Sequence, residues 1–253
     1  MTRIQLSNKT IVVQGLVLGE TQHKEYNKII TVLTGDRGII RVYAYGALSV
    51  KNKNFAATQP FAYSEMEISE KGDIYTLKSA SLIRYFYSAL HGLSSSALMI
   101  YLSEFLMAVC LAENDESEMM RLALNTFYAV SEGKRRPEFI KAVFETRAAS
   151  ILGFEPNLEG ECFECCSENA DFLDYETGGL VCHECQGALG IQLSSTVIDA
   201  MRYVVLCDMK RILSFNLDDG DMYLFSKAAE GYILHQLDRS FSSLDFYRQV
   251  CNT

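Results

Sequence analysis

Two short cysteine pairs, Cys162-Phe-Glu-Cys165 and Cys182-His-Glu-Cys185, stand sixteen residues apart and constrain this chain more than any other feature. Two residues between cysteines let both sulfurs of one tight turn face the same point, so two such turns supply four thiolates in the tetrahedron that zinc accepts. Gly178-Gly179, between the pairs, lets the backbone double back. An insert this short has few core residues of its own, and metal binding contributes about 10–16 kcal/mol to the folding of comparable modules. The predicted ligands of one structural zinc ion are therefore Cys162, Cys165, Cys182 and Cys185, with Cys166 and His183 as spare candidates that can replace a neighbour. A closed four-sulfur site leaves no position for a reacting water, and no HExxH or three-ligand set with a positioned base accompanies it.

Eight cysteines would suggest disulfides in a secreted chain, but the opening MTRIQLSNKTIVVQG lacks the basic start, long apolar middle and small-residue cleavage site of a secretory signal. A cytoplasmic, reducing setting is expected, which favours thiolate ligation. No stretch reaches the ~18 consecutive apolar residues of a membrane helix, so no membrane partner is expected. The length, 253 residues, favours two folding units. Charge divides the chain in the same way. The net charge is −9, yet residues 1–80 hold 10 Lys and Arg against 7 Asp and Glu, whereas the remainder holds 13 against 25. Within residues 1–60 the basic excess is 8 to 3. Such a break suggests units with different partners.

The first unit, 1–80, reads as strands. Segments 10–18 and 26–34 are rich in Val, Ile and Thr, and Gly35-Asp36-Arg37-Gly38 is a turn leading into 39–45. From Phe61 to Glu70 the side chains alternate, Ala62, Ser64, Met66 and Ile68 on one side, which marks a half-buried strand. Lys71-Gly72-Asp73 turns into a fifth strand near Ile74. Five strands in so short a span predict a small closed barrel, because closure removes edges. In the second unit, 81–253, the period becomes helical: 97–111 with Ser94, Ser95 and Ser96 as N-cap candidates, then 116–131, 137–152, a helix from Ser194 or Ser195 to 207, and 221–237, interrupted by the cysteine insert at about 160–187. The fold class is thus α+β and multidomain.

The basic unit carries the second chemical signal. Lys24, Lys28, Arg37, Arg41, Lys51 and Lys53 interleave with Tyr26, Tyr43, Tyr45 and Phe55. Cations for phosphates beside ring faces for bases are what single-strand binding requires, so Lys24, Lys28, Arg37, Arg41, Tyr43, Lys51, Lys53 and Phe55 form the candidate nucleic-acid set. Strand tyrosines and phenylalanines that serve only as core are the alternative. Asp218-Asp219-Gly220-Asp221 lacks the alternating oxygens of a calcium loop and reads as a helix cap. His23, His91, His183 and His235 stand apart, with no nucleophile elbow near any of them, and no phosphate-cradling glycine loop occurs, so neither catalysis nor nucleotide binding is expected.

The succession of features is itself informative. The runs 25–34 (EYNKIITVLT), 38–47 (GIIRVYAYGA), Gln59-Pro60-Phe61 and 75–80 (YTLKSA) precede Phe144-Glu-Thr-Arg147, 152–156 (LGFEP) and the cysteine pairs with Gly178-Gly179-Leu180. Their order and spacing resemble the RecO family of bacterial recombination mediators. The resemblance implies an N-terminal OB-fold joined to a helical domain with a zinc module. It also implies a non-enzymatic, nucleoid-associated protein that binds single- and double-stranded DNA, anneals complementary strands, and acts with RecR to help load RecA onto single strands coated by the single-stranded-DNA-binding protein SSB. An adaptor for RecR and SSB with little DNA contact is the alternative. The family commonly carries a dense Arg/Lys cluster after the third strand, whereas this chain reads Tyr45-Gly-Ala-Leu-Ser-Val50 there, which implies weaker DNA affinity. The acidic C-terminal tail of SSB needs local cations in an acidic domain, and Lys134, Arg135 and Arg136 are the candidate set, with Arg202, Lys210 and Arg211 as a second.

Overall fold

The structure, a computed structural model, describes residues 9–72, 74–87 and 92–251. Residues 132–244 form one compact unit and the remaining described residues the other. In the latter, five strands close into a barrel in the order β1-β2-β3-β5-β4, with β1 returning to β4. They are β1 (Lys9–His23), β2 (Asn27–Thr34), β3 (Gly38–Ala44), β4 (Ala62–Lys71) and β5 (Ile74–Tyr85). Neighbours are antiparallel except β3 and β5, which pair parallel at Val42–Tyr75 and Tyr43–Thr76. This is the five-stranded OB-fold.

Closure depends on β1. Its first half, Lys9 to Leu16, pairs with β4, its second half, Gly15 to His23, pairs with β2, and the register shifts between Val17 and Gly19. That bulge lets one strand bend around the barrel. Gly15 lies at the crossover, where a Cβ would collide with the Val32 side chain. The interior is filled by Val13, Val17, Ile30, Val32, Ile40, Val42, Ala44, Met66, Ile68 and Leu77. The alternation expected for β4 is observed, with Ala62, Ser64, Met66 and Ile68 buried while Glu65 and Glu67 are exposed.

One end of the barrel is closed by polar groups. Lys28 is 0% exposed, and its ammonium lies 2.6 Å from the Glu20 carboxylate while donating to the Thr58 carbonyl at 2.8 Å. Thr58 ends a single 3-10 turn (Ala56–Thr58), which Asn54 and Ser64 tie to the strands by bonds from Ala80 N to Asn54 Oδ1 and from Ser64 Oγ to Ala57 O.

Helices α1 (Leu93–Val109) and α2 (Ser117–Glu132) follow the barrel, and α1 together with nearly all of α2 groups with it. Compactness divides the chain at 131/132, and β5 runs to Tyr85. The link between α1 and α2 pairs with the β2–β3 turn through Ile39 N to Leu111 O (3.1 Å), Glu113 N to Arg37 O (3.0 Å) and Glu116 N to Gly35 O (2.7 Å). Gly38 (φ +59°) is required there twice over, because a Cβ would also strike the Leu111 carbonyl. The serines expected to cap α1 lie inside its first turn instead. The chain enters from Gly92 at φ +93°, with no side-chain cap. Asp73 and His91 lie outside the described residues.

In the second unit, α3 (Pro137–Ile151) packs against α4 (Ser195–Leu206) and α5 (Asp219–Leu237). Ser194 and Asp218 cap α4 and α5, accepting from Val197 N and Asp221 N respectively, so the acidic run at 218–221 is a cap as expected. Lys141 is buried in α3 between Glu145 (2.9 Å) and Glu230 of α5 (2.7 Å). The cysteine insert carries a small sheet, in the order β7-β6-β8, of β6 (Phe172–Asp174), β7 (Gly179–Val181) and β8 (Gly190–Gln192). It sits on α5, where Tyr175 occupies the space left by Gly231 and Gln236 Nε2 donates to the Tyr175 carbonyl at 2.7 Å. The last helix is α6 (Ser242–Cys251), beyond the helices expected from the sequence.

Replacing Lys28 with Ala leaves the Thr58 carbonyl and the Glu20 carboxylate without their shared donor. Loss of a buried, hydrogen-bonded charge is expected to destabilise the barrel by about 2–4 kcal/mol. Denaturant unfolding followed by hydrogen exchange of strand amides measures this; an unchanged barrel stability would show that the ion pair contributes nothing net.

Candidate metal centre and nucleic-acid surface

The two cysteine turns are built from local backbone bonds. In the first, Cys162 N donates to Ser167 O (2.7 Å) and Cys166 N to Cys162 O (2.8 Å), with Cys166 left-handed at φ +59°. In the second, Cys185 N donates to Cys182 O at 3.0 Å. Phe163 ties the first turn to β7, its N–H donating to Leu180 O at 2.8 Å and its ring lying against Gly179. The sulfurs of Cys162, Cys165, Cys182 and Cys185 all lie within 4.8 Å of one another, and those of Cys165 and Cys182 are 3.7 Å apart. A tetrahedron with metal–sulfur bonds of about 2.3 Å has edges of about 3.8 Å, whereas a disulfide requires about 2.05 Å. The four cysteines are close enough to hold a metal ion, and all are free thiols. Cys166 and His183 are exposed and stand outside this group.

The donor set is polarised towards a cation. Burial works against ionisation of Cys162, but N–H groups of Cys182, Cys165 and Glu164 directed at its sulfur outweigh it and bring the thiol down to about 6. Hydrogen bonding with Cys165 and Cys182 pushes Cys185 up to about 12. Four sulfurs this close cannot all carry charge alone, and a divalent cation removes that conflict. With all four sulfurs engaged, no coordination position is left for a water nucleophile.

The barrel sorts the candidate cations. Arg41 and Tyr43 point outward from β3, opposite Thr31 and Ile29 of β2. Tyr43 meets the His23 ring edge-on at 5.7 Å between centroids. Lys24 is exposed in the β1–β2 turn, held left-handed at φ +61°. The loop after β3 leans on that turn, since Gly46 N donates to Asn27 Oδ1 at 2.8 Å and Leu48 N to Tyr26 O at 3.2 Å. Lys51 and Lys53 are exposed on this loop. The structure therefore joins Lys24, Arg41, Tyr43 and the loop bearing Lys51 and Lys53 into one surface. Tyr26 and Tyr45, 59% and 62% exposed, belong to it as well, although strand aromatics more often face the core. His23 also joins; its one signal was its place in strand alternation opposite the β2 start. Lys78, exposed at a bulge of β5 beside β3, is a further cation.

Three members of the candidate set belong elsewhere. Lys28 is removed, because β2 alternation turns it inward to Glu20 and Thr58. Arg37 sits in the turn clasped by the α1–α2 link, 3.8 Å from both Asp36 and Glu70. Phe55 is half-buried, and its carbonyl accepts from Thr58 and Gln59 to form the turn that closes the barrel. Glu65, Glu67 and Glu70 lie on β4, which is not a neighbour of β2 or β3, and Glu65 and Glu67 engage Gln14 and Ser79, whereas Glu25 is exposed in the β1–β2 turn beside Lys24.

The run at 134–136 is likewise taken up internally. Lys134 is 3.1 Å from Glu132, and Arg136 lies between Asp219 (2.5 Å) and Glu138 (3.3 Å). Arg135 donates to Asn216 Oδ1 and Leu213 O and covers the Phe139 ring at 5.1 Å. The Arg135 and Arg136 bonds brace the loop against residues some eighty positions later, while the Lys134 and Arg136 side chains stay 77% and 58% exposed. Arg202 is similarly paired with Asp199 at 2.6 Å, whereas Lys210 and Arg211 are exposed.

Comparison with known proteins agrees with this layout. The family model "Recombination protein O N terminal" matches residues 9–86, and "Recombination protein O C terminal" matches residues 90–245. A relative from Acetivibrio thermocellus, named DNA repair protein RecO, is 28% identical over 242 residues, covering 93% of this chain and 95% of its own. The protein of that name from Caldicellulosiruptor bescii is 28% identical, covering 96% and 99%. That from Halalkalibacterium halodurans is 24% identical, covering 91% and 89%. With both regions matched in order along nearly the whole chain, the protein belongs to the RecO family of DNA repair proteins.

Proposed function

We propose that this protein is a non-catalytic mediator of recombinational repair whose barrel holds DNA strands and whose helical unit docks proteins. The observation that carries this is the joined surface of Lys24, Arg41, Lys51 and Lys53 with the exposed rings of Tyr26 and Tyr45. Cations there neutralise phosphates, and the rings offer faces on which bases of any sequence stack at about 1–3 kcal/mol each. Both single- and double-stranded DNA present the phosphates, but only single strands present free base faces.

Annealing follows from the same surface. Two polyanions held on one cationic face repel each other less, and base pairing completes the reaction without a nucleotide cofactor. The proposed partners are RecR and the C-terminal tail of SSB, and the proposed outcome is loading of RecA onto SSB-coated single strands in the cytoplasm, at the nucleoid; membership of a DNA repair family supports this reading. Among the described residues, no helix is long and apolar enough to cross a membrane. Zinc is the metal proposed for the four cysteines. Bound there, it supplies a fixed cross-link between the two turns and no reactive position, so its role is to hold the shape of the insert.

A specific observation favours the adaptor reading as the alternative. With Lys28 buried and Arg37 clasped in its turn, four cations remain of the six first considered. Mobility shift of a labelled oligonucleotide separates the two readings: retention supports the mediator, and no shift at low salt leaves the adaptor.

Four contacts at roughly −0.7 each predict a logarithmic salt slope of about −2.8 for single strands. The pair Lys24→Ala with Arg41→Ala is expected to reduce its magnitude by about 1.4, while Lys28→Ala leaves it unchanged; an unaltered slope in the pair would place the strand elsewhere. Tyr26→Ala with Tyr45→Ala is expected to weaken binding equally at all salt concentrations, and a change confined to low salt would remove the stacking role. For the metal, elemental analysis of reduced protein is expected to give one zinc per chain, lost with Cys162→Ser and kept with Cys166→Ser. Zinc-free protein with intact structure would contradict the assignment.

A further inference from the structure

We propose that Asp174 is a positioning residue of the metal centre, its carboxylate setting the second cysteine turn at the distance from the first that four-sulfur coordination requires. The inference rests on the metal assignment above and concerns a residue that is not itself a ligand. Asp174 ends β6 and is 2% exposed. Its Oδ1 accepts from the N–H groups of Glu176 and Thr177, both at 2.9 Å, and so shapes the turn between β6 and β7. Its Oδ2 accepts from Gly187 N at 3.1 Å, and Gly187 lies two residues past Cys185. The fit is close: a Cβ on Gly187 would lie 2.5 Å from that oxygen.

Both cysteine turns are in this way referenced to one hairpin. The first hangs on β7 through the Phe163 N–H to Leu180 O bond and the Phe163 ring on Gly179. The second hangs on β6 through Gly187 N–H to Asp174 Oδ2. Since Asp174 pairs with Gly179 across the hairpin, the two attachments are separated by one step of the ladder. A turn cap needs a single oxygen; the second oxygen carries the connection to the cysteines. Outer-shell residues that orient ligands typically change metal affinity by about 10- to 100-fold, and Asp174 acts through Gly187, two residues beyond Cys185.

Asp174→Asn separates the two duties. Its amide oxygen can keep the Glu176 and Thr177 donors, but its NH2 then meets the Gly187 N–H, donor against donor. Zinc affinity of the full chain, measured by competition with a chromophoric chelator, is expected to fall about 10- to 100-fold, and the cobalt-substituted protein is expected to lose the absorption bands of tetrahedral thiolate coordination. Asp171→Asn removes an exposed charge from the same module, where the carboxylate accepts from Gln192 Nε2 at 3.1 Å, and is expected to leave both readouts unchanged. Gly187→Ala breaks the same contact from its other side, so it should lower affinity by a similar factor, and the double variant should bind no more weakly than either single one. If Asp174→Asn fails to fold, Gly187→Ala carries the test alone. Wild-type affinity and spectrum in Asp174→Asn or, failing that, Gly187→Ala, or an equal loss in Asp171→Asn, would overturn the role of Asp174 while leaving the metal in place. A wild-type chain that binds no zinc would overturn the metal assignment, and this inference with it.

Discussion

The double pairing of β1 governs what the barrel can present. One strand supplies a partner to β4 with its first half and to β2 with its second, and the bulge at Val17–Gly19 makes the bend between them possible. Once the register is set, every second side chain on β2 and β3 is committed to the interior, and period two leaves no freedom in the rest. Arg41 and Tyr43 face outward for the same reason that Lys28 faces inward. The acidic β4 strand is placed away from β2 and β3 by strand order alone. A basic surface thus arises on a molecule of net charge −9, with Glu25 of the β1–β2 turn as an exposed carboxylate beside it.

The second unit solves a different problem. Its helices bury a conventional core, but the cysteine insert has three strands of three residues each and little to bury. Four sulfurs, one hairpin and the Asp174 carboxylate replace the missing core with a few directional bonds. Tyr175, fitted against Gly231, fixes the insert on α5. Burial, reinforced by Glu230, pushes the Tyr175 hydroxyl up to about 12, so it stays neutral at physiological pH.

What the sequence disclosed and what it concealed follow the range of the physical signal. Alternation from Phe61 to Glu70, the turn at 35–38, the caps at Ser194 and Asp218 and the two CxxC turns are all local patterns, and each appears in the structure. Burial of Lys28 was not legible, because it depends on Glu20 across a turn and on Thr58 thirty residues later. The basic run at 134–136 was visible, but its partners at 213–219 were not. Strands of three residues are too short to show a period, so β6 to β8 passed unseen and Asp174 with them. Tyr26 and Tyr45 stand among the interleaved rings of the sequence, but whether such rings are core or surface depends on the loop after β3, which leans on the β1–β2 turn and leaves both exposed.

The β1–β2 turn, the outer face of β3 and the following loop are the proposed contact with DNA. Hydrogen exchange of the full-length protein with and without a saturating single-stranded oligonucleotide tests it most directly. Slowed exchange is expected in residues 23–29 and 41–55, with β4 unchanged. Slowing confined to β4 or to residues 132–244, with the barrel face indifferent to the strand, would contradict it.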